Sequence, residues 1–155
     1  MTATGAEDFT DQVFDDQEWA GRSFVNCRFT DADLRGLRTR SCRFTECDFT
    51  RADLGSSRHH ATAFHTCTFQ RTVLADSVLA SCSLLGSTIS DCRLRPWTLR
   101  EVDLRLTALG GADLRGARLD ADALVQARLS GARIDVDTAV RFAVANGLRV
   151  DLGPA

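Results

Sequence analysis

The side chains in this sequence with the greatest potential for chemistry are those of six cysteines and three histidines. Thiolates and imidazoles at close spacing hold zinc, and cysteine pairs form disulfides, so both kinds of site need to be considered. The sequence contains no C-x-x-C pair, and every cysteine lies at a position whose number ends in 2 or 7. This regularity predicts reduced, inward-facing packing residues, with no metal bound. The cysteines are Cys27, Cys42, Cys47, Cys67, Cys82 and Cys92.

Residue types that catalyse reactions show no productive spacing in this sequence. A Gly-rich phosphate loop, a Ser–His–Asp arrangement and a pair of carboxylates in a recognisable cleft are all missing from it. We therefore expect a protein that is not an enzyme and that needs no cofactor. We also expect a cytoplasmic protein that is not bound to a membrane, because the sequence has neither an apolar run long enough to span a bilayer nor a signal peptide.

A sequence repeat with a period of five residues must position these side chains. From Phe9 to Ile134 every fifth residue is Phe, Trp, Leu or Ile at 24 of 26 sites, and only Thr39 and His59 differ. A period of five fits neither a helix nor a strand. A short period held over this length predicts an all-β solenoid, in which small units stack and share one core.

The large residues at every fifth position form one column of repeat positions. A second column, two residues before each large residue, holds small side chains. Between positions 27 and 132, 19 of 22 such sites are Ala, Cys, Ser, Thr or Val; the exceptions are Leu37, Trp97 and Asp122. We expect Trp97 to turn outward or to bulge the coil, and Asp122 to mark a local distortion. Two interpretations are open for the irregular face that carries Thr39 and His59. Its side chains are either locally repacked so that the total core volume is conserved, or they form a binding site.

Units such as Ala32-Asp33-Leu34 and Ala112-Asp113-Leu114 resemble the pentapeptide-repeat family over residues 9–134. The resemblance implies a right-handed quadrilateral β-helix with four units per coil and both columns pointing inward. Twenty-six units make about six and a half coils and a rod about 30 Å long. Residues four units apart should then stack in columns, and the core of the N-terminal half of the solenoid should be aromatic. Two such columns are Phe9, Phe29, Phe49 and Phe69, and Phe24, Phe44 and Phe64.

The ends of the chain depart from the repeat. We expect residues 1–8 to be a flexible N-terminus and residues 135–155 to form a capping and dimerisation segment. Asp137 is predicted to cap a helix that runs from Thr138 to about Asn146. A stripe of Val136, Val140, Ala143 and Val144 is expected to plug the last coil.

On the opposite side of this helix, Phe142 should face a second copy of the chain. The predicted dimer interface comprises Ala139, Phe142, Ala145 and Leu148. The tail with Leu148, Val150 and Leu152 either joins that interface or folds back over Phe142 within one chain.

A finer resemblance is to the fluoroquinolone-resistance branch of the family, the Qnr-like proteins and their mycobacterial relatives. It is carried by residues 44–49, 81–86, 92–96, 109–116 and 135–147. It implies a homodimeric rod that imitates B-DNA and binds DNA gyrase in its place. Given such a partner, the acids expected to contact gyrase are Asp31, Asp33, Asp48, Asp53, Asp91 and Asp113.

The charge distribution leaves two alternatives open. The net charge of the chain is only −2, although residues 1–21 hold six acids and no base. The two faces centred on the Phe9 and Phe14 columns carry 12 acids against 9 arginines, whereas the Trp19 face carries three acids against five arginines. The protein could instead be a rigid interaction scaffold for another partner. Direct nucleic-acid binding on the Trp19 face is disfavoured because exposed aromatic residues are not interleaved with the arginines.

Overall fold

The computed structural model describes residues 2–151, 153 and 154, and of residues 2, 3, 121 and 122 it describes the backbone alone. Leu152 therefore lies outside the described residues. The chain forms a β-solenoid of about five turns followed by one C-terminal helix. The strands are β1 Thr2–Gly5, β2 Glu18–Ala20, β3 Arg22–Val25, β4 Arg38–Arg40, β5 Arg43–Thr45, β6 Arg58–His60, β7 Ala63–His65, β8 Thr68–Gln70, β9 Ser77–Ala80, β10 Thr88–Ser90 and β11 Trp97–Arg100; helix α1 is Val136–Ala145.

Parallel pairing stacks these short strands along the rod. Each strand pairs with the strand that lies four repeat units away in the sequence, so that Phe24 lies beside Phe44 and Thr39 beside His59. One sheet has the order β1-β3-β5-β7, a second β8-β10, and a third β2-β4-β6-β9-β11. Isolated bridges between residues such as Asp33 and Asp53 continue the same offset between the named strands. This constant offset confirms that side chains at equal repeat positions form columns.

The core consists of the two predicted inward columns. The large residues at every fifth position are buried from Trp19 to Leu124, including Thr39 and His59, whereas Ile134 is 37% exposed. The rings of Phe24 and Phe44 stack at 5.0 Å between centroids with 6° between planes. Phe49 and Phe69 stack at 4.9 Å and 4°. Such pairs add about 0.5–1.5 kcal/mol each beyond the burial of their surface.

The corners of the solenoid depend on a backbone conformation that recurs every five residues. Asp31, Ser41 and Thr66 have φ values of 57°, 54° and 55°, in the left-handed region that non-glycine residues rarely adopt. The corner amides are satisfied by the next layer, since the N–H of Asp31 donates to the carbonyl of Thr50 at 3.0 Å. Stacking therefore offsets the cost of a left-handed residue, about 1–2 kcal/mol, at each corner.

Three sequence expectations about irregular positions are resolved by the structure. Residues 2–5 form strand β1, which pairs with β3, so this part of the predicted flexible N-terminus belongs to a sheet. Trp97 is 1% exposed, and the expectation that it turns outward is wrong. It fits inside because its partner in the adjacent layer, Ser77, is small. A 3-10 helix over Ala121–Gln126 interrupts the repeat around Asp122, as the expected distortion requires.

Helix α1 begins earlier than predicted and is rotated about its axis. Its N-cap is Asp135, not Asp137: one carboxylate oxygen accepts from the N–H of Thr138 at 3.0 Å. The other accepts from the N–H of Gly116 at 2.9 Å and ties the helix to the solenoid. These bonds lower the pKa of Asp135 to about 2.

This attachment turns Thr138 and Phe142 inward, because residues four apart share one face of a helix. Thr138 is buried and Phe142 packs against the core. The predicted plugging stripe is therefore wrong for Val136 and Val144, which are 76% and 56% exposed, whereas its other members Val140 and Ala143 are half-buried. In the predicted dimer interface, Phe142 is half-buried against the core of its own chain. The other members of that interface, Ala139, Ala145 and Leu148, are exposed.

Candidate functional site

The six aspartates proposed for partner binding occupy three columns on the two adjacent faces centred on the Phe9 and Phe14 columns, and we call these two faces the acidic side. Asp33 and Asp53 occupy the same position in adjacent layers and are linked by a parallel bridge. Asp113 lies in the same column but farther along, because Val73 and Arg93 occupy the layers between. The structure therefore brings Asp33 and Asp53 together and leaves Asp113 apart.

Half of these aspartates are neutralised by arginine. Asp33 forms a two-pronged ion pair with Arg35, with nitrogen–oxygen distances of 2.9 and 2.7 Å. Asp113 pairs in the same way with Arg115, at 2.8 and 2.7 Å. The hydrogen bonds from the guanidinium groups hold the pKa of both carboxyls below its usual range.

The third neutralised aspartate is paired between layers. Asp31 binds Arg51, which occupies the same position one layer later, at 2.9 and 3.0 Å, and this arginine lowers the pKa of Asp31. The sequence contained this signal in the Asp-Leu-Arg runs at 33–35 and 113–115 and in the offset of four repeat units between Asp31 and Arg51. Charge counting by face could not show which acids are compensated.

The other three aspartates, Asp48, Asp53 and Asp91, form no ion pair with any residue that the structure describes. One oxygen of Asp53 accepts from the N–H of Gly55 at 2.9 Å. Asp48 accepts from the N–H of Thr50 at the same distance. These bonds fix the carboxylates against the turn without cancelling their charge, so this subset is the uncompensated part of the acidic side.

The thiols occupy the interior as predicted. All six cysteines are free, and five are buried while Cys92 is half-buried. Their sulfur atoms lie against backbone carbonyls of the preceding layer: the Sγ of Cys67 is 3.3 Å from the carbonyl oxygen of Phe44. Thr72 donates its hydroxyl to Phe49 in the equivalent position at 2.8 Å. The column of small residues therefore supplies hydrogen-bond donors in addition to fitting the narrow interior. Sequence reasoning missed this role. Within the described residues no group of three or more His, Cys, Asp or Glu could hold a metal ion.

The irregular face encloses a buried polar network. The Nδ1 of His59 lies 2.7 Å from the hydroxyl of Thr39, which lies 2.8 Å from that of Thr62. The Nε2 of His59 lies 2.9 Å from the hydroxyl of Ser57. Burial lowers the pKa of His59 to about 3, so the imidazole is neutral. Because each of its polar atoms has a partner inside the protein, this network supports local repacking of the buried residues, whereas the outward residues of the same face remain open to a ligand.

None of the helices in the described residues is long and apolar enough to span a membrane.

The stacked five-residue units, the two inward columns and the constant offset between layers define a β-solenoid of short repeats. A family model described as "Pentapeptide repeats" matches residues 23–58 with eight copies. The chain belongs to the pentapeptide-repeat family. It is 38% identical to the pentapeptide repeat protein MfpA of Mycobacterium tuberculosis over 103 residues, which are 66% of this chain and 56% of MfpA. The chain thus matches little more than half the length of this relative.

Two solved structures give weaker similarities. QnrB1, a plasmid-mediated fluoroquinolone resistance protein, is 17% identical, with 96% of this chain and 97% of QnrB1 covered and a TM-score of 0.34. HetL of the cyanobacterium Nostoc, a pentapeptide repeat protein involved in heterocyst differentiation regulation, is 18% identical, with 81% of this chain and 63% of HetL covered and a TM-score of 0.32.

Proposed function

We propose that this protein is a DNA-mimicking rod that binds DNA gyrase in the cytoplasm and modulates it or protects it from fluoroquinolone-type inhibitors. The observation that carries the proposal is the uncompensated part of the acidic side, held on a solenoid with 38% identity to MfpA. Its aspartates Asp48, Asp53 and Asp91 present charge from a rigid frame. A rigid frame reduces the ordering cost when a partner binds.

The proposed rod is a right-handed, four-sided β-helix of about six and a half coils that pairs into a homodimer. The five-residue repeat and the pairing of strands four repeat units apart support four units per layer. Layers about 4.8 Å apart then place stacked side chains in straight rows. The rod has no need of catalytic groups or cofactors, because its proposed action is to occupy a binding surface.

Long-range attraction contributes little to the proposed binding. A DNA duplex carries one charge per about 1.7 Å, whereas one column of the rod offers at most one charge per layer of about 4.8 Å. The net charge of −2 adds little steering. Short-range contacts of individual carboxylates must therefore decide the affinity for gyrase.

A supercoiling assay with purified gyrase, with and without a fluoroquinolone, tests this proposal. Wild-type protein should change supercoiling activity or reduce drug-induced cleavage. Replacement of Asp48 and Asp53 by Asn should weaken this effect about tenfold or more, because each carboxylate that binds a partner cation contributes about 1 kcal/mol.

Two double variants with the same change in net charge serve as controls. Asp31→Asn with Asp113→Asn changes the net charge equally but removes aspartates already neutralised by arginine, and should weaken the effect less. Glu46→Gln with Glu101→Gln alters exposed acids away from the acidic side and should leave activity as in wild type. Equal losses in all three double variants would show that net charge alone matters and would contradict a specific acidic side.

A second function, as a rigid interaction scaffold for a different partner, is favoured by the neutralisation of Asp31, Asp33 and Asp113. Ion pairs of this kind reduce resemblance to a polyanion while they preserve a patterned surface. If folded wild-type protein leaves both supercoiling and drug-induced cleavage unchanged, the scaffold function replaces the gyrase proposal.

A further inference from the structure

A groove of about 630 Å³ runs along the outer surface of the five-stranded sheet β2-β4-β6-β9-β11. In β2, β4 and β6 the middle residue is buried and its two neighbours point outward, as in Arg38-Thr39-Arg40, whereas in β9 and β11 buried residues alternate with more exposed ones. The outward residues form two rows that flank the sheet backbone. We call this surface the basic groove, and its charged members are Arg38, Arg40, Arg58, Arg100 and Glu18.

Several arginines of the acidic side are bound to aspartates, whereas most arginines of the basic groove form no ion pair with a described residue. Arg40, Arg58 and Arg100 form no ion pair with any residue described in the structure, and Arg38 contacts only Glu18, at 3.6 Å. Arg38 and Arg58 are directly paired in adjacent strands. Like charges opposite one another in a sheet are unfavourable. A bound anion would relieve this repulsion.

The shape and lining of the basic groove favour a polypeptide as the anion. Its two rows stand about 7 Å apart, the distance between alternate residues of a strand, which is too narrow to hold a duplex. Trp19 lies beneath the surface at 5% exposure, so its ring cannot stack on a nucleotide base. Beyond Arg58 the groove continues over Val78 and Ala80, an apolar stretch suited to an aliphatic side chain.

We propose that the basic groove binds an extended acidic segment of a partner protein, with carboxylates paired to Arg38, Arg40 and Arg58 and an apolar residue over Val78. Guanidinium groups bind carboxylates through two parallel hydrogen bonds, as Arg35 does with Asp33 in this protein. The proposed site lies on a different sheet from the acidic side. It therefore stands independently of gyrase binding and gives the rod a second, oppositely charged docking surface.

Fluorescence anisotropy with a fluorescein-labelled oligoglutamate peptide and the full-length chain tests this inference. Wild-type protein should bind the peptide, with an affinity that falls as salt is added. Arg38→Gln combined with Arg58→Gln should weaken binding by about fivefold or more. Glu18→Gln should strengthen it about twofold, because the carboxylate that competes for Arg38 is removed.

The matched control is Arg43→Gln with Arg71→Gln, two exposed arginines on other parts of the surface that form no described ion pair. Circular dichroism establishes that all variants are folded. The control pair should bind within about twofold of wild type. An equal loss in both double variants, or no binding by wild type at low salt, would overturn the proposal. Tighter binding of a labelled oligothymidylate of equal charge would also overturn it, in favour of a nucleic-acid partner.

Discussion

At the scale of single residues, the imidazole of His59 links stability to pH. Its pKa of about 3 in the folded protein compares with about 6.5 in an unfolded chain. Between these values the unfolded chain binds a proton that the folded protein does not, so the free energy of unfolding rises with pH and falls on acidification. The loss is at most about 1.4 kcal/mol per pH unit.

We expect this slope in urea unfolding between pH 6.5 and 4.5. Aspartates such as Asp33, whose folded pKa is lowered, lose their contribution only at lower pH, as the pH falls through their own titration range. His59→Leu should flatten the slope, and should cost about 1–3 kcal/mol at neutral pH because the hydroxyl of Ser57 loses its partner and that of Thr39 keeps only Thr62. His60→Gln, on the exposed side of the same strand, should retain the wild-type slope. An unchanged slope in His59→Leu would refute this account.

The column of small residues gives a second prediction at this scale. The sulfur of Cys47 lies 3.5 Å from the carbonyl oxygen of Phe24, so Cys47→Ala should lose packing volume and a weak hydrogen bond, about 1 kcal/mol in total. Cys47→Ser keeps a donor, as Ser87 does toward Phe64 at 2.7 Å, and should be more stable than the alanine variant. Urea unfolding of both variants measures the difference. All six thiols should react with a thiol reagent after unfolding without reductant; a Cys27–Cys47 disulfide or bound zinc would contradict this expectation.

The sequence predicted the interior well because a strict five-residue period allows only one set of inward positions. It predicted His59 and Thr39 as irregular but not the network that joins them to Ser57 and Thr62, since hydrogen bonds across layers depend on side-chain orientation. The same limit applied to the acidic side. Column positions place Asp31 and Asp33 close together, but the arginines that neutralise both are identified by side-chain geometry in the folded protein.

At the scale of secondary-structure elements, helix α1 shows why the ends were harder to predict than the repeat. Apolar residues lie on both sides of this helix, so periodicity could not decide which side faces the solenoid. The attachment of Asp135 to Gly116 decides it and turns Phe142 inward. The corners were also not predictable from residue type, because non-glycine residues such as Thr66 adopt a positive φ there.

The orientation of α1 predicts unequal effects of two truncations. Phe142→Ala should destabilise the protein by about 2 kcal/mol or more, because it removes a large ring from the end of the core. Val144→Ala should change stability by less than about 0.5 kcal/mol, since that side chain is mostly exposed. Thermal unfolding followed by circular dichroism measures both. The opposite ranking would restore the helix orientation first expected from the sequence.

At the scale of the whole molecule, acids outnumber arginines on the acidic side of the rod, whereas arginines outnumber acids on the Trp19 face. The acidic side and the basic groove lie on different sheets, and both are built on the same rigid stack. The first coil carries six acids in residues 1–21 without a base, so it should repel a second copy. The C-terminal end instead exposes Val136, Val144 and Leu148. A homodimer joined there remains our proposal, with these residues in place of Phe142.

Tail-to-tail pairing about a twofold axis would roughly double the length of the proposed gyrase-binding rod. A twofold axis beside α1 would bring Val144 close to its own copy and cover Leu148. Val144→Arg and Leu148→Arg should therefore give folded monomers, measured by light scattering at micromolar concentration. Gln70→Arg adds the same charge to an exposed site on the solenoid and should leave the dimer intact. Phe142→Arg should instead lower the unfolding temperature, because its ring belongs to the cap. A wild-type monomer under these conditions would defeat the dimer model, since nothing else in the proposed interface replaces the burial of these apolar side chains.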